Sequence, residues 1–428
     1  MVKLAALCLI TCVSAFAADT LEGAWSMSIV RFGEPEYNRV RFEAKDGRYV
    51  GKYGRLNFDA ALNGASVEFT CTYQDDDQKK SCGVLTGKLA GGEMKGAGKF
   101  FGDEATWTAH RGAEHARNPQ TRDFAPTQFH RQFSGAIPPA LHLNPGDTVR
   151  TKSVDAGGHD ENNVRRSLGG NPLTGPFYIE GALPGDTLVV RLNRVRLNRD
   201  SARMDADRVV AAALNPYYAQ DQKSVKDFDS GWKLDRERGV ATLAKPTEHL
   251  KNFSVPLHPM LGCIGVAPPG GQSFRSGNLG SYGGNMDYNQ FREGVTLYLP
   301  VFQTGALLFL GDAHATQGDG ELTGNALETS MDIEFTVDLI EGDSLGQVRA
   351  ENDEYVIVSG IAGSLDDALR SATTGMKRWL EDQYKLNPAE SAMVLGSSMR
   401  YDIAEVVDPQ AHIVAKLPKT VLAQLSKP

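Results

Sequence analysis

Three glycine-rich turns interrupt an apolar, strand-like stretch between Gly262 and Glu321. They are Gly262-Cys263-Ile264-Gly265, Gly283-Gly284-Asn285-Met286-Asp287, and Gly311-Asp312-Ala313-His314 running on to Gly318-Asp319-Gly320-Glu321. Runs this short, punctuated this often, read as buried strands joined by turns. Glycine lets backbone approach a ligand or take positive φ, so the carboxylates, amide and imidazole beside each turn can converge on one point. The stretch reads as an active site on a β scaffold.

The rest of the chain supplies that scaffold. Its 428 residues suffice for two or three domains with substantial cores. Residues 18–111 form a small all-β module: Ala24–Val30, Val40–Ala44 and Ala105–Ala109 are short strands, separated by turns such as Asp46-Gly47 and Gly91-Gly92. A lipocalin-like barrel or a sandwich would close such a meander. The polar stretch 112–128, with Asn118-Pro119 and Ala125-Pro126, reads as a linker to a domain over 129–428. There, Pro145-Gly146-Asp147 and Pro184-Gly185-Asp186 each feed an alternating strand, a device used twice in one β-sandwich- or barrel-like core. Met331–Leu339 alternates with period two. Helix is expected only late: Ser364 caps a segment to Tyr384, with Leu365, Ala368, Leu369, Ala372, Met376, Trp379 and Leu380 on one face, and Ala389–Leu395 forms a shorter one. The fold class is mainly β with a helical C-terminal layer.

Residues 1–17 carry the three parts of a secretory signal: Lys3, the apolar run Leu4–Val13, and Ala15-Phe16-Ala17 before the cleavage point. Export, periplasmic or secreted, is expected, and no later segment is apolar for long enough to span a bilayer. Cys71 and Cys82 end and begin successive strands, within bridging range in an oxidising compartment, so a disulfide is predicted. Cys263 is then the odd thiol. A net charge of −8 offers no basic field, which excludes nucleic acid as a partner. Association of copies of the chain is compatible with this composition.

Asp312 and His314, at i and i+2 of an extended segment, share a face, and Glu321 can fold back from its glycine-flanked loop. An imidazole with carboxylates suits a divalent metal of zinc type, which brings the pKa of bound water towards about 7. Asp155, with His159 in the same turn, and Asp287 are further candidate ligands. Glu180, in an apolar strand, is a candidate base beside Glu321. Asn285 and a backbone amide near Cys263 would stabilise an oxyanion, and Cys263 and Gly265 would line the substrate. Cys263 could instead be the nucleophile.

Several of these stretches occur together in one known family. Thr174–Asp186, Cys263–Pro268, Gly284–Asp287, Gly311–Glu321 and Arg400–Pro409, in this order, make the chain from about Ala140 to Leu417 resemble the acetamidase/formamidase family. The resemblance implies a β-rich fold, a divalent metal, and hydrolysis of short amides such as formamide or acetamide to carboxylate and ammonia. It places Asp155, Glu180, Asn285, Asp287, Asp312, His314 and Glu321 in the site. The N-terminal module, the export signal, and Asn171 where a histidine is often seen depart from the pattern. The competing reading is a non-catalytic binding protein in which the turns hold calcium, with oxygen-only coordination.

Overall fold

A computed structural model describes residues 20–426 except 77, 112–117, 206, 224, 226–227 and 343–345. The signal segment 1–17 and the cleavage point after Ala17 lie outside the described residues. The chain divides into two compact units, up to Gly112 and from Ala113 onwards.

The first unit is a closed up-and-down barrel. Its strands are Gly23–Arg31, Glu34–Lys45, Arg48–Tyr53, Leu56–Asn63, Ser66–Asp75, Gln78–Ala90, Glu93–Phe100 and Asp103–Arg111, and the first pairs with the last. Closure leaves no free sheet edge. Alternation points Trp25, Phe42, Tyr53, Phe58, Phe69, Phe100 and Trp107 inward, all fully buried, so side chains fill the barrel. Cys71 and Cys82, on neighbouring strands, are joined by a disulfide with their Cα atoms 5.1 Å apart.

The second unit holds two large sheets around one apolar core. In one sheet, Met331–Ile340 lies between Thr187–Leu197 and Thr148–Lys152. Those two neighbours are the strands fed by the repeated Pro-Gly-Asp turns. Each turn is closed the same way: Asp147 Oδ2 accepts from Asn144 N at 3.0 Å and Asp186 Oδ2 from Leu183 N at 2.8 Å. The stretch expected as a linker contributes Thr121–Asp123, paired in parallel with Thr148–Arg150.

The other sheet positions the site. Its centre runs Glu328–Thr329, Leu308–His314, Met260–Gly265, Gly283–Asn285, with Leu173–Ile179 also pairing with Leu308–His314. Every residue of Met260–Gly265 and Leu308–His314 is buried. Helix Leu365–Tyr384 starts at Ser364, whose side chain accepts from Asp367 N, and buries Ala368, Ala372, Met376, Trp379 and Leu380. Leu365 and Leu369, expected on the same face, are exposed at 40% and 41%, because the buried stripe is narrower than the apolar one. Helix Pro388–Ser398 follows, closed at its start by an Asn387/Glu390 capping box. Among the described residues no helix is long and apolar enough to cross a membrane.

Candidate active site and metal centre

The strand register brings the glycine-rich turns together. Cys263 lies opposite both Asn285 and Gly311, and His314 opposite both Met260 and Glu328. Asp287, Asp312, His314, Glu321 and Glu328 are all buried. Asn171, Asp287, Asp312 and Glu321 also share a positive φ, between 39° and 55°. Non-glycine residues hold that conformation at a cost of order 1–3 kcal/mol each, and such residues gather where a site over-determines them.

His314 is oriented from behind. Its Nδ1 is 2.9 Å from Gln317 Oε1, and Gln317 Nε2 donates to the Asp287 carbonyl at 2.6 Å, which fixes the amide with its oxygen towards the ring. Nδ1 therefore donates, and Nε2 faces Glu328 Oε2 at 3.3 Å and Asp312 Oδ1 at 3.6 Å, where either a proton or a cation would lie between acceptors. Donor atoms about 2.0–2.2 Å from one zinc would stand about 3.4 Å apart.

The donor set fits a cation. Asp287 Oδ1, Asp312 Oδ1, His314 Nε2 and Glu328 Oε2 are buried without a hydrogen-bond partner, which is costly unless something else satisfies them. Ligand atoms of Asp287, Asp312 and His314 lie within 4.8 Å of one another, as do those of His314, Glu321 and Glu328. Gly262 completes the cradle: a Cβ there would collide with Asp287 Oδ1 and lie 2.8 Å from Asp312 Oδ2. Burial pushes the Asp287, Glu321 and Glu328 carboxyls above the usual range, reinforced by their mutual repulsion. Burial opposes charge on His314, but Glu328 and Asp312 override it and raise its pKa. Such a cluster needs protons or a cation to be neutral.

Asn285 is fully engaged. Its Nδ2 donates to Asp287 and to Asp408, both at 2.6 Å, while its Oδ1 accepts from the Cys263 thiol at 2.7 Å and from Asn171 Nδ2 at 3.1 Å. With four bonds made, the amide has no donor left for an oxyanion; it organises the carboxylates. Cys263 is buried, and burial followed by the charges of Asp312, Asp287 and Asp408 pushes its thiol well up, against a nucleophilic role. Gly265 packs: a Cβ there would stand 2.7 Å from Gly284 N and 3.0 Å from the Phe133 ring.

Two expected residues stand elsewhere. Glu180 lies beyond the far end of Leu173–Ile179, whose near end, Leu173, is opposite Gly311; it is half-exposed and bonds His142 Nδ1 at 2.7 Å. The apolar strand context suggested burial, but the strand emerges before Glu180. Asp155 is buried, yet its carboxylate is taken by Arg199 at 2.6 Å and by the backbone and ring of His159. Conversely, Glu328, Asp408, Gln317 and Asn171 join the site without having been assigned roles in it. A carboxylate inside Ala326-Leu327-Glu328-Thr329 was the available signal, since a buried charge needs a partner.

The profile of the Acetamidase/Formamidase family matches residues 117–273 and 274–420. The formamidase of Methylophilus methylotrophus is 25% identical over 272 residues, covering 50% of this chain and 64% of that protein. The acetamidase of Mycolicibacterium smegmatis is 26% identical over 270 residues, covering 50% and 66%. The chain thus spans less than two thirds of the length of these curated relatives. Among solved structures, a predicted acetamidase/formamidase from Thermoanaerobacter tengcongensis superposes with a TM-score of 0.62 at 26% identity, over 72% of this chain and 99% of that one. An acetamidase from Yersinia enterocolitica gives 0.60 at 27% identity, over 73% and 96%. On the match across both halves of its second unit, the chain belongs to the acetamidase/formamidase family.

Proposed function

We propose that this protein hydrolyses the C–N bond of a linear amide, R–CO–NH2 with water giving R–COO⁻ and NH4⁺, with the support of a divalent metal. The observation that carries the reading is that four orphaned donor atoms, on Asp287, Asp312, His314 and Glu328, lie in two buried clusters that share His314. The names of the family's relatives, formamidase and acetamidase, support a short amide as substrate. His314 and Asp312, with Asp287 or Glu328, would hold the ion, and the imidazole among the donors favours zinc over calcium; when bound it supplies Lewis acidity to water and carbonyl.

The chain's own residues do the rest. Glu321, whose carboxyl burial and its neighbours raise, is suited to take a proton from the attacking water and return it to the leaving nitrogen. Gln317 holds the imidazole in one tautomer. Asn285, fastened to Asp287 and Asp408, keeps those carboxylates from drifting apart.

The test is ammonia release from formamide, acetamide and longer amides by chelator-stripped protein, with and without zinc. Zinc-restored turnover that His314→Ala and Glu321→Gln abolish is the expected result. Metal bound with no ammonia from any amide would leave the binding-protein reading in its place.

The same proposal has the protein exported. The Met1–Ala17 pattern and the Cys71–Cys82 bridge support that, and a mature N-terminus at Ala18, read by mass spectrometry, would test it.

A further inference from the structure

Asn171 faces two ways. Its side-chain nitrogen donates to Asp312 Oδ2 at 2.9 Å and to Asn285, and the residue also lines a cleft of about 730 Å3 together with His130, Arg131, Arg275 and Asn278. Asn171 is therefore the side chain that joins the cleft to the acidic centre. Pockets of roughly 300–1,000 Å3 suit ligands of many heavy atoms, whereas acetamide has only about four. Formamide or acetamide would leave most of this space to water.

Its charge is equally uneven. Among the described residues no Asp or Glu lines the cleft, while Arg131 and Arg275 both do. A short strand pair, Gln132–Ser134 with Ser273–Arg275, sets them at the rim, Gln132 opposite Arg275 and Ser276 N bonded to the Arg131 carbonyl at 3.1 Å. Arg131 reaches only the Gly169 carbonyl, at 3.3 Å, and neither arginine meets a carboxylate within ion-pair distance among the described residues. Another large hollow of this unit is built differently. There Arg150 is paired with Glu334, Lys152 with Glu161 and Arg166 with Asp160, at 2.5–2.7 Å. Three of the four cations lining that surface are paired, Arg194 being the exception, whereas both arginines of the cleft beside Asn171 stand without a carboxylate among the described residues.

We propose that the cleft selects amides carrying a carboxylate of their own, the mono-amides of small dicarboxylic acids. Their carboxylate is held at Arg131 and Arg275, and their amide passes Asn171 towards Asp312. This rests on the amidase reading for its chemistry. Charge sets the orientation: Arg131 and Arg275 in the cleft lining accept the carboxylate, so the neutral amide is the end left to pass Asn171. The reaction balances as before. Water oxygen bonds to the amide carbon, the C–N bond breaks, the nitrogen takes both protons of the water and leaves as ammonium, and a dicarboxylate remains.

The experiment measures kcat/KM for ammonia release from succinamate and glutaramate against acetamide and the uncharged valeramide. It uses the zinc-loaded full chain, Arg131→Gln, Arg275→Gln, and Arg150→Gln from the other hollow as a control. The expected result is at least a tenfold preference for the anionic amides, carried by KM, and a tenfold fall in the succinamate-to-acetamide ratio in either cleft variant but not in the control. Hydrolysis of acetamide with no such preference, or an unmoved ratio, overturns the anionic class and leaves the amidase reading standing. If no amide releases ammonia, the amidase reading fails separately. Calorimetric binding of succinate, present in the wild type and weakened tenfold in both variants, then still supports a carboxylate site, and no succinate binding by the wild type overturns it.

Discussion

The Asn285 side-chain nitrogen donates to the Asp408 carboxylate at 2.6 Å, across 123 residues of chain. The same nitrogen donates to Asp287, so one amide joins a glycine-rich turn to the C-terminal segment. Burial pushes Asp408 up to about 6 against the pull of that bond. Groups that hold ligands from behind typically contribute 10–100-fold to metal affinity or activity. Asp408→Ala is expected to lower turnover by about that factor with unchanged far-ultraviolet circular dichroism; turnover within twofold of wild type would contradict the assigned position.

Gly262 has no room for a side chain, because a methyl group would press on Asp287 and Asp312 together. Gly262→Ala should keep the fold yet spread the two carboxylates. Zinc retention after dialysis against a graded chelator series should shift by about tenfold in affinity. Equal retention would mean the cradle is elsewhere.

His412 is buried with Nδ1 2.7 Å from the Met286 carbonyl, and burial lowers its pKa from 6.5 to about 4. Above pH 6.5 neither folded nor unfolded chain protonates it. As pH falls from there towards 4, the unfolded chain takes a proton that the folded one refuses, so stability is lost, about 2 kcal/mol by pH 5. Glu405, pushed up to about 8 by burial, acts in the opposite sense: the folded chain keeps a proton that the unfolded one releases above about pH 4.5, so its contribution falls as pH rises. His412→Gln isolates the histidine. The stability difference between wild type and variant, from urea midpoints at pH 7 and pH 5, should move by about 2 kcal/mol in the variant's favour at pH 5.

The Cys71–Cys82 bridge spans a sequence separation of 11 residues. Loop-closure entropy assigns such a link about 2–3 kcal/mol. Cys71→Ser with Cys82→Ser should lower the barrel's thermal transition in the full chain by roughly 10 °C or more. Ammonia release at 25 °C should not change, since no residue of the candidate site lies in the barrel.

What was legible in the sequence was local or register-bound. The Ser364 cap, the Asn387 break, the paired Pro-Gly-Asp turns and the Cys71–Cys82 hairpin each depend on a few neighbouring residues and direct strand pairing. Asp312, His314 and Asp287 were legible because glycine turns mark where strands deliver polar groups. Glu180 misled because apolar neighbours do not say where a strand leaves the core. Asp155 misled because its partner, Arg199, is 44 residues away. Glu328 and Asp408 were missed for the same reason: their roles come from the strands laid beside them, which no periodicity encodes.

Asn171 reaches Asp312 across 141 residues, and Asp408 must then come in to close the far side. The candidate cation donors fall within residues 287–328, but the groups that brace them, Asn171 and Asp408, come from well before and well after that stretch. During vectorial synthesis the early carboxylates emerge long before the partners that make their proximity tolerable. The cluster is therefore complete only once Asp408 has docked, and the proposed ammonia release in a refolding experiment should follow that docking step rather than the formation of either sheet.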